Sequence, residues 1–268
     1  MAITELPHRY QLLDGSQLPV LILFFWPFPL EFPHWKPSKD IGDLITIMHI
    51  FYNQHGMLPL HRQAWQQHPS QSVQYVLVDD GSPTPIPDDF RRDELKVYRI
   101  HEDIPWNIAG ARNLGFHVAT TDWVLSADID HVVTHEALKD IMQLDLSDPN
   151  TVYTFNRRRE DGFVGCDAII NILMNQRRFF EIGGYDEDYS GHYGKEETFF
   201  LHCLKHHRVR IVKCEHIVLE WHPILGRTWK LSRDLTFNKK LFECKMTALH
   251  ERRYHPGQRL RFSWSLRS

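Results

Sequence analysis

Cysteine is scarce in this chain. The 268 residues hold four, Cys166, Cys203, Cys214 and Cys244, with no CxxC pair and no close-spaced framework. That excludes a small disulfide-stapled scaffold and reads as reduced thiols in an intracellular protein. Long apolar runs are missing as well. The most apolar stretch, Leu18 to Leu30, is broken by three prolines and falls short of the roughly 20 residues that a membrane-crossing helix needs. The preceding Met1 to Gln17 lacks a basic region followed by a small-residue cleavage site, so no secretory leader is expected and the cytoplasm is the expected location. No excess of positive charge points to nucleic acid: 31 Lys and Arg face 34 Asp and Glu, for a net charge of −3, and the two signs are interspersed. Internal repeats and low-complexity tracts are absent too.

What is present is an alternation of strand and helix patterns. Pro19–Phe25 is β-rich and ends at Trp26-Pro27, which predicts a first strand. Asp40–Gln54 carries Ile41, Leu44, Ile45, Met48 and Phe51 at helical spacing behind Ser38 or Asp40 as N-cap, which predicts a helix. Strands are expected over 72–78, 95–100 and 123–127, with a helix over 107–119. Such alternation argues an α/β fold, a mainly parallel central sheet flanked by helices, with ligands gathered at strand C-termini. Beyond Asp148-Pro149 the spacing loosens into an α+β half that includes Val152–Phe155 and the run Arg157-Arg158-Arg159. Ser232–Leu249 has the pattern of an amphipathic C-terminal helix. The Arg-rich end, 251–268, reads as a surface strap or solvated tail, with peripheral contact to an anionic acceptor or membrane surface as the other reading.

The chemistry concentrates at Asp128-Ile129-Asp130, where an apolar strand ends in two carboxylates one residue apart. Two such charges about 4 Å apart repel by roughly 4 kcal/mol at an effective dielectric of about 20, and a hard divalent cation reverses that sign. On an extended chain the two side chains lie about 7 Å apart on one face, so sharing an ion requires a turn at this point. Asp79 and Asp80, at the end of the strand expected over 72–78, are placed to accept hydrogen bonds from a base or from ribose hydroxyls, although Asp-Gly-Ser-Pro is also an ordinary turn. Arg112 offers planar donors to a base or a diphosphate; Asn113 is placed to hold the loop that carries the DxD. His202, Cys203, His206, His207, Cys214 and His216 are zinc-capable types, but Phe199, Phe200, Leu201 and Leu204 make that segment read as a packed helix.

Four segments in this order, Val78-Asp-Asp-Gly-Ser-Pro83, Ala109-Gly-Ala-Arg-Asn-Leu-Gly115, Ala127-Asp-Ile-Asp130, and Gly183-Gly-Tyr-Asp-Glu-Asp188 leading into Gly194-Lys-Glu-Glu197, resemble the inverting GT-A glycosyltransferases, of the family 2-like and galactosyltransferase C-terminal types. The resemblance implies a GT-A (Rossmann-like) domain over 1–230, with a nucleotide-sugar half at about 18–135 and an acceptor half at about 150–230, and a C-terminal helix and basic tail, 231–268, packed on the same domain. It implies a nucleotide-sugar donor, with UDP the expected nucleotide, and a carbohydrate or other hydroxyl acceptor. Donor contacts would come from Asp79, Asp80, Arg112 and Asp128. Mn²⁺ or Mg²⁺ would be held by Asp128, Asp130 and His222, with His216 the second choice for the third ligand and His131 a weaker one. Gly184, Tyr185, Asp186 and Glu196 would face the acceptor, and Glu197, ahead of Glu196, would be the base. The chain departs from the pattern where His192-Tyr-Gly-Lys195 replaces Trp-Gly-Gly and Glu-Glu replaces Glu-Asp.

Two other classes fit parts of the same pattern. A DxD phosphatase or phosphotransferase uses its first Asp as nucleophile, but at the end of the opening strand, whereas here several strand–helix units precede it. A catalytically silent nucleotide-sugar binding module would have little use for both the DxD carboxylates and the Glu pair.

Overall fold

The computed structural model describes residues 45–69, 73–90, 95–165, 169–222, 231–257 and 259–267. The strand expected at Pro19–Phe25 lies outside these residues. The chain order is β1 (Ile45–Phe51), α1 (Leu58–Gln67), β2 (Val73–Asp80), β3 (Leu95–Ile100), α2 (Ile108–Val118), β4 (Trp123–Asp128), β5 (His131–Val132), α3 (His135–Ile141), β6 (Thr151–Arg158), β7 (Val164–Gly165), β8 (Ile172–Asn175), α4 (Gln176–Glu181), α5 (Glu196–His206), β9 (Arg210–Trp221), α6 (Thr236–His250) and β10 (Trp264–Arg267).

One sheet runs β10-β3-β2-β1-β4-β8-β6-β9-β5, with β7 paired to β6. Its centre, β3-β2-β1-β4, is parallel throughout. Beyond it β8 is antiparallel to β4 and β6, β6 and β9 are parallel, and β10 closes the other edge antiparallel to β3. Strand order reverses between β1 and β4, so a crevice opens at their C-terminal ends, where open α/β sheets bind ligands.

The helix expected over 40–54 is a strand where the structure describes it. All seven residues of β1 are buried. Ile45, Ile47 and Phe51 face the core under α1 and α3, while Met48 and Ile50 face the core under α2 and α4. A strand buried on both faces is apolar nearly throughout, and its Ile-Thr-Ile-Met-His-Ile-Phe run offers residues at i, i+3 and i+4 by default; the helical spacing was a by-product of that run. The other expected elements stand. Helix α2 is nevertheless buried on almost every side. Gly115 lets it close on β1, since a Cβ there would lie 1.8 Å from Met48 Sδ, and Gly110 admits Phe262 of the C-terminal segment, whose ring would stand 2.5 Å from an added Cβ.

The Arg-rich end is therefore a strap. After α6 it returns along α2 and ends as β10 on the sheet edge. Among the described residues no helix is long and apolar enough to cross a membrane.

Candidate active site

The crevice is a cavity of about 480 Å³, whose lining includes Asp80, Asp128, Asp130, Tyr193, Glu196 and Glu197. That size suits a small-molecule ligand.

Strand β4 stops at Asp128, and the chain turns at Ile129-Asp130 before β5. The turn brings carboxylate oxygens of Asp128 and Asp130 and a ring nitrogen of His131 within 4.8 Å of one another, the cation-capable cluster among the described residues. Asp130 Oδ2 accepts a 2.8 Å bond from Trp221 Nε1. Its Oδ1 lies 2.7 Å from His131 Nδ1, yet the two are out of hydrogen-bond alignment and both are buried without a partner. Burial pushes the Asp130 carboxyl up, but His131 and Trp221 more than offset it and hold the group below its usual value. Two carboxylate oxygens and an imidazole nitrogen this close, with Asp130 Oδ1 and His131 Nδ1 buried and unpartnered, fit a divalent cation.

His131, the weakest candidate from sequence, thus stands inside the cluster. The expected third ligand, His222, meets the turn through its backbone: its N–H donates to Asp130 O at 2.8 Å, and its ring is not in the cluster. His216 is exposed on β9. Antiparallel pairing of β5 with β9 sets His131 opposite Trp221, a long-range contact that no local signal carries. Beneath the turn, two further histidines hold its backbone. His61 Nε2 lies 2.6 Å from Ile129 O and His49 Nδ1 3.4 Å from Asp128 O, with the two rings 4.2 Å apart. Desolvation brings the His61 pKa down to about 4, so it stays neutral and can donate one N–H to the turn.

Strand β2 ends in two carboxylates with different surroundings. Asp79 is fully buried, accepts from Ser82 N at 3.0 Å and pairs with Arg99; it holds the Asp-Gly-Ser turn and does not line the cavity. Asp80 lines it and accepts from Asn107 Nδ2 at 2.8 Å. Burial lifts the Asp80 carboxyl well above its ordinary value, helped by neighbouring Asp79 and opposed by Asn107.

Arg112 has a different job from the donor contact expected of it. It is fully buried, with Nη2 2.8 Å from Asp128 Oδ1 and Nη1 2.7 Å from Glu197 Oε1, and it sits over the Tyr185 ring at 5.0 Å. The guanidinium ties the end of β4 to the first turn of α5. Glu197 is raised by desolvation against the pull of Arg112. Its neighbour Glu196 opens α5, and its Oε2 is buried without a partner; desolvation, then repulsion from Glu197, lifts its pKa to about 7.

Gly184, Tyr185 and Asp186, expected to meet the acceptor, are not brought to the cavity. Tyr185 and Asp186 are buried, and an added Cβ at Gly184 would stand 2.8 Å from Asn113 Oδ1. Asp186 Oδ2 accepts from Lys245 Nζ at 2.6 Å and Tyr254 OH at 2.8 Å. Asn113 binds this segment and not the DxD loop: it donates to Tyr185 O and Glu187 Oε1 and accepts from Tyr185 N, all within 2.9 Å. The DxD strand end is met instead by Asn171, whose Oδ1 accepts from Asp128 N at 3.3 Å. Gly-Gly-Tyr-Asp-Glu-Asp is the internal scaffold under the Glu pair.

Residues 47–194, more than half of the chain, match the glycosyl transferase family 2 profile. The chain belongs to this family. The match begins inside β1 and ends two residues before the Glu pair. The fold is similar to that of S. aureus TarS 1-349 in complex with UDP-GlcNAc, with TM-score 0.62, 15% identity, and 77% of this chain and 66% of that one covered. It is also similar to GalNAc-T7 with UDP, GalNAc and Mn²⁺, with TM-score 0.61, 13% identity, and 81% and 50% covered. A third likeness is to the mannosyltransferase PcManGT from Pyrobaculum calidifontis in complex with GDP-Man and Mn²⁺, with TM-score 0.56, 14% identity, and 77% and 64% covered. At these identities the likeness is one of fold, and the family member studied here spans between half and two thirds of the length of those structures. No curated protein sequence matches significantly.

Proposed function

We propose that this chain is a metal-dependent inverting glycosyltransferase that moves a sugar from a nucleotide donor, with UDP the preferred nucleotide, to a hydroxyl acceptor. One observation carries the reading: the cation-capable cluster and the Glu pair line one cavity, with Asp128 and Glu197 both paired to buried Arg112.

Asp128, Asp130 and His131 would hold the divalent ion, which when bound neutralises charge on the leaving diphosphate. Asp80, the member of its pair that reaches the cavity, would accept hydrogen bonds from the nucleoside. Inversion needs a carboxylate on the face opposite the diphosphate to take the acceptor hydroxyl proton as that oxygen attacks the anomeric carbon. Glu197 suits this role. A 2.7 Å pair with a guanidinium presupposes an ionised carboxylate, and its raised pKa strengthens it as a base. Glu196, about half protonated at neutral pH, would hydrogen-bond the acceptor and orient it. His61 and His49 fix the peptide groups of the DxD turn, and Arg112 fixes the base relative to Asp128.

Binding and turnover are to be measured separately. UDP with Mn²⁺ is expected to raise the melting temperature, and Asp130→Ala to abolish that rise. Glu197→Gln should keep the rise while lowering kcat by about 10²–10⁴. A shift that survives Asp130→Ala would overturn the metal assignment. A larger kcat loss in Glu196→Gln than in Glu197→Gln would exchange the roles of the pair.

A further inference from the structure

Five carboxylates face the cavity from Asp80, Asp128, Asp130, Glu196 and Glu197, but its rim has the opposite character. There Trp106 and Tyr193 stand with ring centroids 4.7 Å apart. The Arg233 guanidinium lies over both rings, 5.9 Å from Trp106 and 5.6 Å from Tyr193. Arg233 has no hydrogen bond or ion pair to any described residue, and neither ring belongs to the apolar cores.

This corner is held from several directions. Trp106 Nε1 donates to Ser232 O at 2.7 Å, which ties the ring to the segment that carries Arg233. The peptide before it, Pro105 O, accepts from Gly191 N at 2.7 Å. The Tyr193 loop is fixed by buried Asn238 of α6, whose Nδ2 lies 2.9 Å from His192 O and 2.7 Å from Gly194 O. Trp106 and Lys195 both take left-handed backbone conformations, with φ of 51° and 80°. For non-glycine residues such conformations cost energy and persist where the surroundings over-determine them, most often at functional sites.

We propose that Trp106, Tyr193 and Arg233 form the acceptor subsite and select an acceptor sugar that carries a negative charge. The inference rests on the glycosyltransferase reading above and names the acceptor class for that same site. A ring face is complementary to the C–H face of a pyranose, whose hydroxyls remain free to bond at the edge. Tyr193, three residues before Glu196 and four before Glu197, lines the same cavity as the proposed base, so a sugar on this platform would share that cavity with it. An arginine stacked flat on two rings still presents its N–H fork sideways, in the geometry that takes carboxylate or phosphate oxygens in pairs. A neutral sugar would leave that fork without a charged acceptor.

The test uses the protein saturated with UDP and Mg²⁺ and follows binding of three probes by NMR titration: methyl β-D-glucuronide, glucose-6-phosphate and the neutral methyl β-D-glucoside. At least one anionic probe is expected to bind about tenfold more tightly than the glucoside, the scale of one charge-assisted contact; which one does so tells carboxylate from phosphate. Arg233→Gln should erase that preference without changing UDP affinity, and Tyr193→Leu should weaken all three probes alike. Equal binding of charged and neutral probes by the unaltered protein would overturn the proposal. So would an Arg233→Gln variant that keeps the preference but loses UDP affinity, which would assign the arginine to the diphosphate. If UDP fails to bind while the probes still discriminate, the donor reading falls and the subsite stands.

Discussion

Glu196 shows how a single buried group links stability to chemistry. Its carboxyl titrates at about 7 in the folded protein against an ordinary value of 4.5. Between those values the folded state binds more protons than the unfolded one, so stability falls as pH rises through that window, and the whole penalty is present above about 7. For a shift of this size the penalty is on the order of 3 kcal/mol. Glu196→Gln removes it without changing the shape of the side chain. Thermal melts should therefore show the variant more stable than the parent at pH 8 and level with it near pH 4.5. A gain of the same size at both pH values would mean that the carboxyl titrates normally. Above about pH 7 the parent protein tolerates an ionised carboxyl at this position, with Oε2 buried and unpartnered, which is the kind of compromise active sites make.

At the scale of elements, the Gly-Gly-Tyr-Asp-Glu-Asp segment owes its place to the C-terminal strap. Lys245 of α6 is buried and donates to Asp186 and Asp188, each at 2.6 Å. Tyr254 also donates to Asp186, while the N–H groups of Leu260 and Arg261 donate to Glu187 at 2.8 and 3.2 Å. Burial alone would raise the Asp186 carboxyl; Lys245, then Arg259, bring it below its ordinary value. Lys245→Met removes the cation in direct contact with the buried Asp186 carboxylate and should cost about 3–5 kcal/mol in denaturant unfolding. A double variant with Asp186→Leu should recover much of that loss, and recovery of nothing would show that packing, not the charge pair, carries the effect. These contacts also mark what a sequence can reveal. Acidic residues after a double glycine look like ligand contacts from either side of the argument, because local pattern does not say whether a lysine about 60 residues later arrives to bury them. The DxD, the Glu pair and the alternation of β2, β3, α2 and β4 were legible because each is local in the chain. Strand β1 was misread for the opposite reason: one face is buried under α1 and α3 and the other under α2 and α4, which erases the alternation that identifies a strand. The place of His131 beside the two carboxylates was not legible because it is set by the turn at 129–130 and by the pairing of β5 with β9.

Over the whole molecule a net charge of −3 is small, but its distribution is uneven. Five carboxylates converge on one cavity, while Arg112, the cation nearest to them, is fully buried and already paired with two of them. A low-dielectric crevice focuses that field, so the protein should bind divalent cations before any nucleotide arrives. At a hundredfold excess over its dissociation constant a ligand of the native state adds about 2.7 kcal/mol, which for a chain of this size is roughly a 5–10 °C rise in melting temperature. Mn²⁺ should give a larger rise than Mg²⁺ if His131, as proposed, supplies an imidazole ligand, and NaCl at matched ionic strength should give little. His131→Gln separates this site from a diffuse acidic field. The variant keeps every carboxylate, so a general attraction for cations would leave the order of Mn²⁺ over Mg²⁺ intact. Direct coordination by the ring predicts that the order collapses while a Mg²⁺ effect remains. An unaltered preference in His131→Gln would move the third ligand elsewhere, and His222, whose backbone already touches Asp130, would be the next residue to replace.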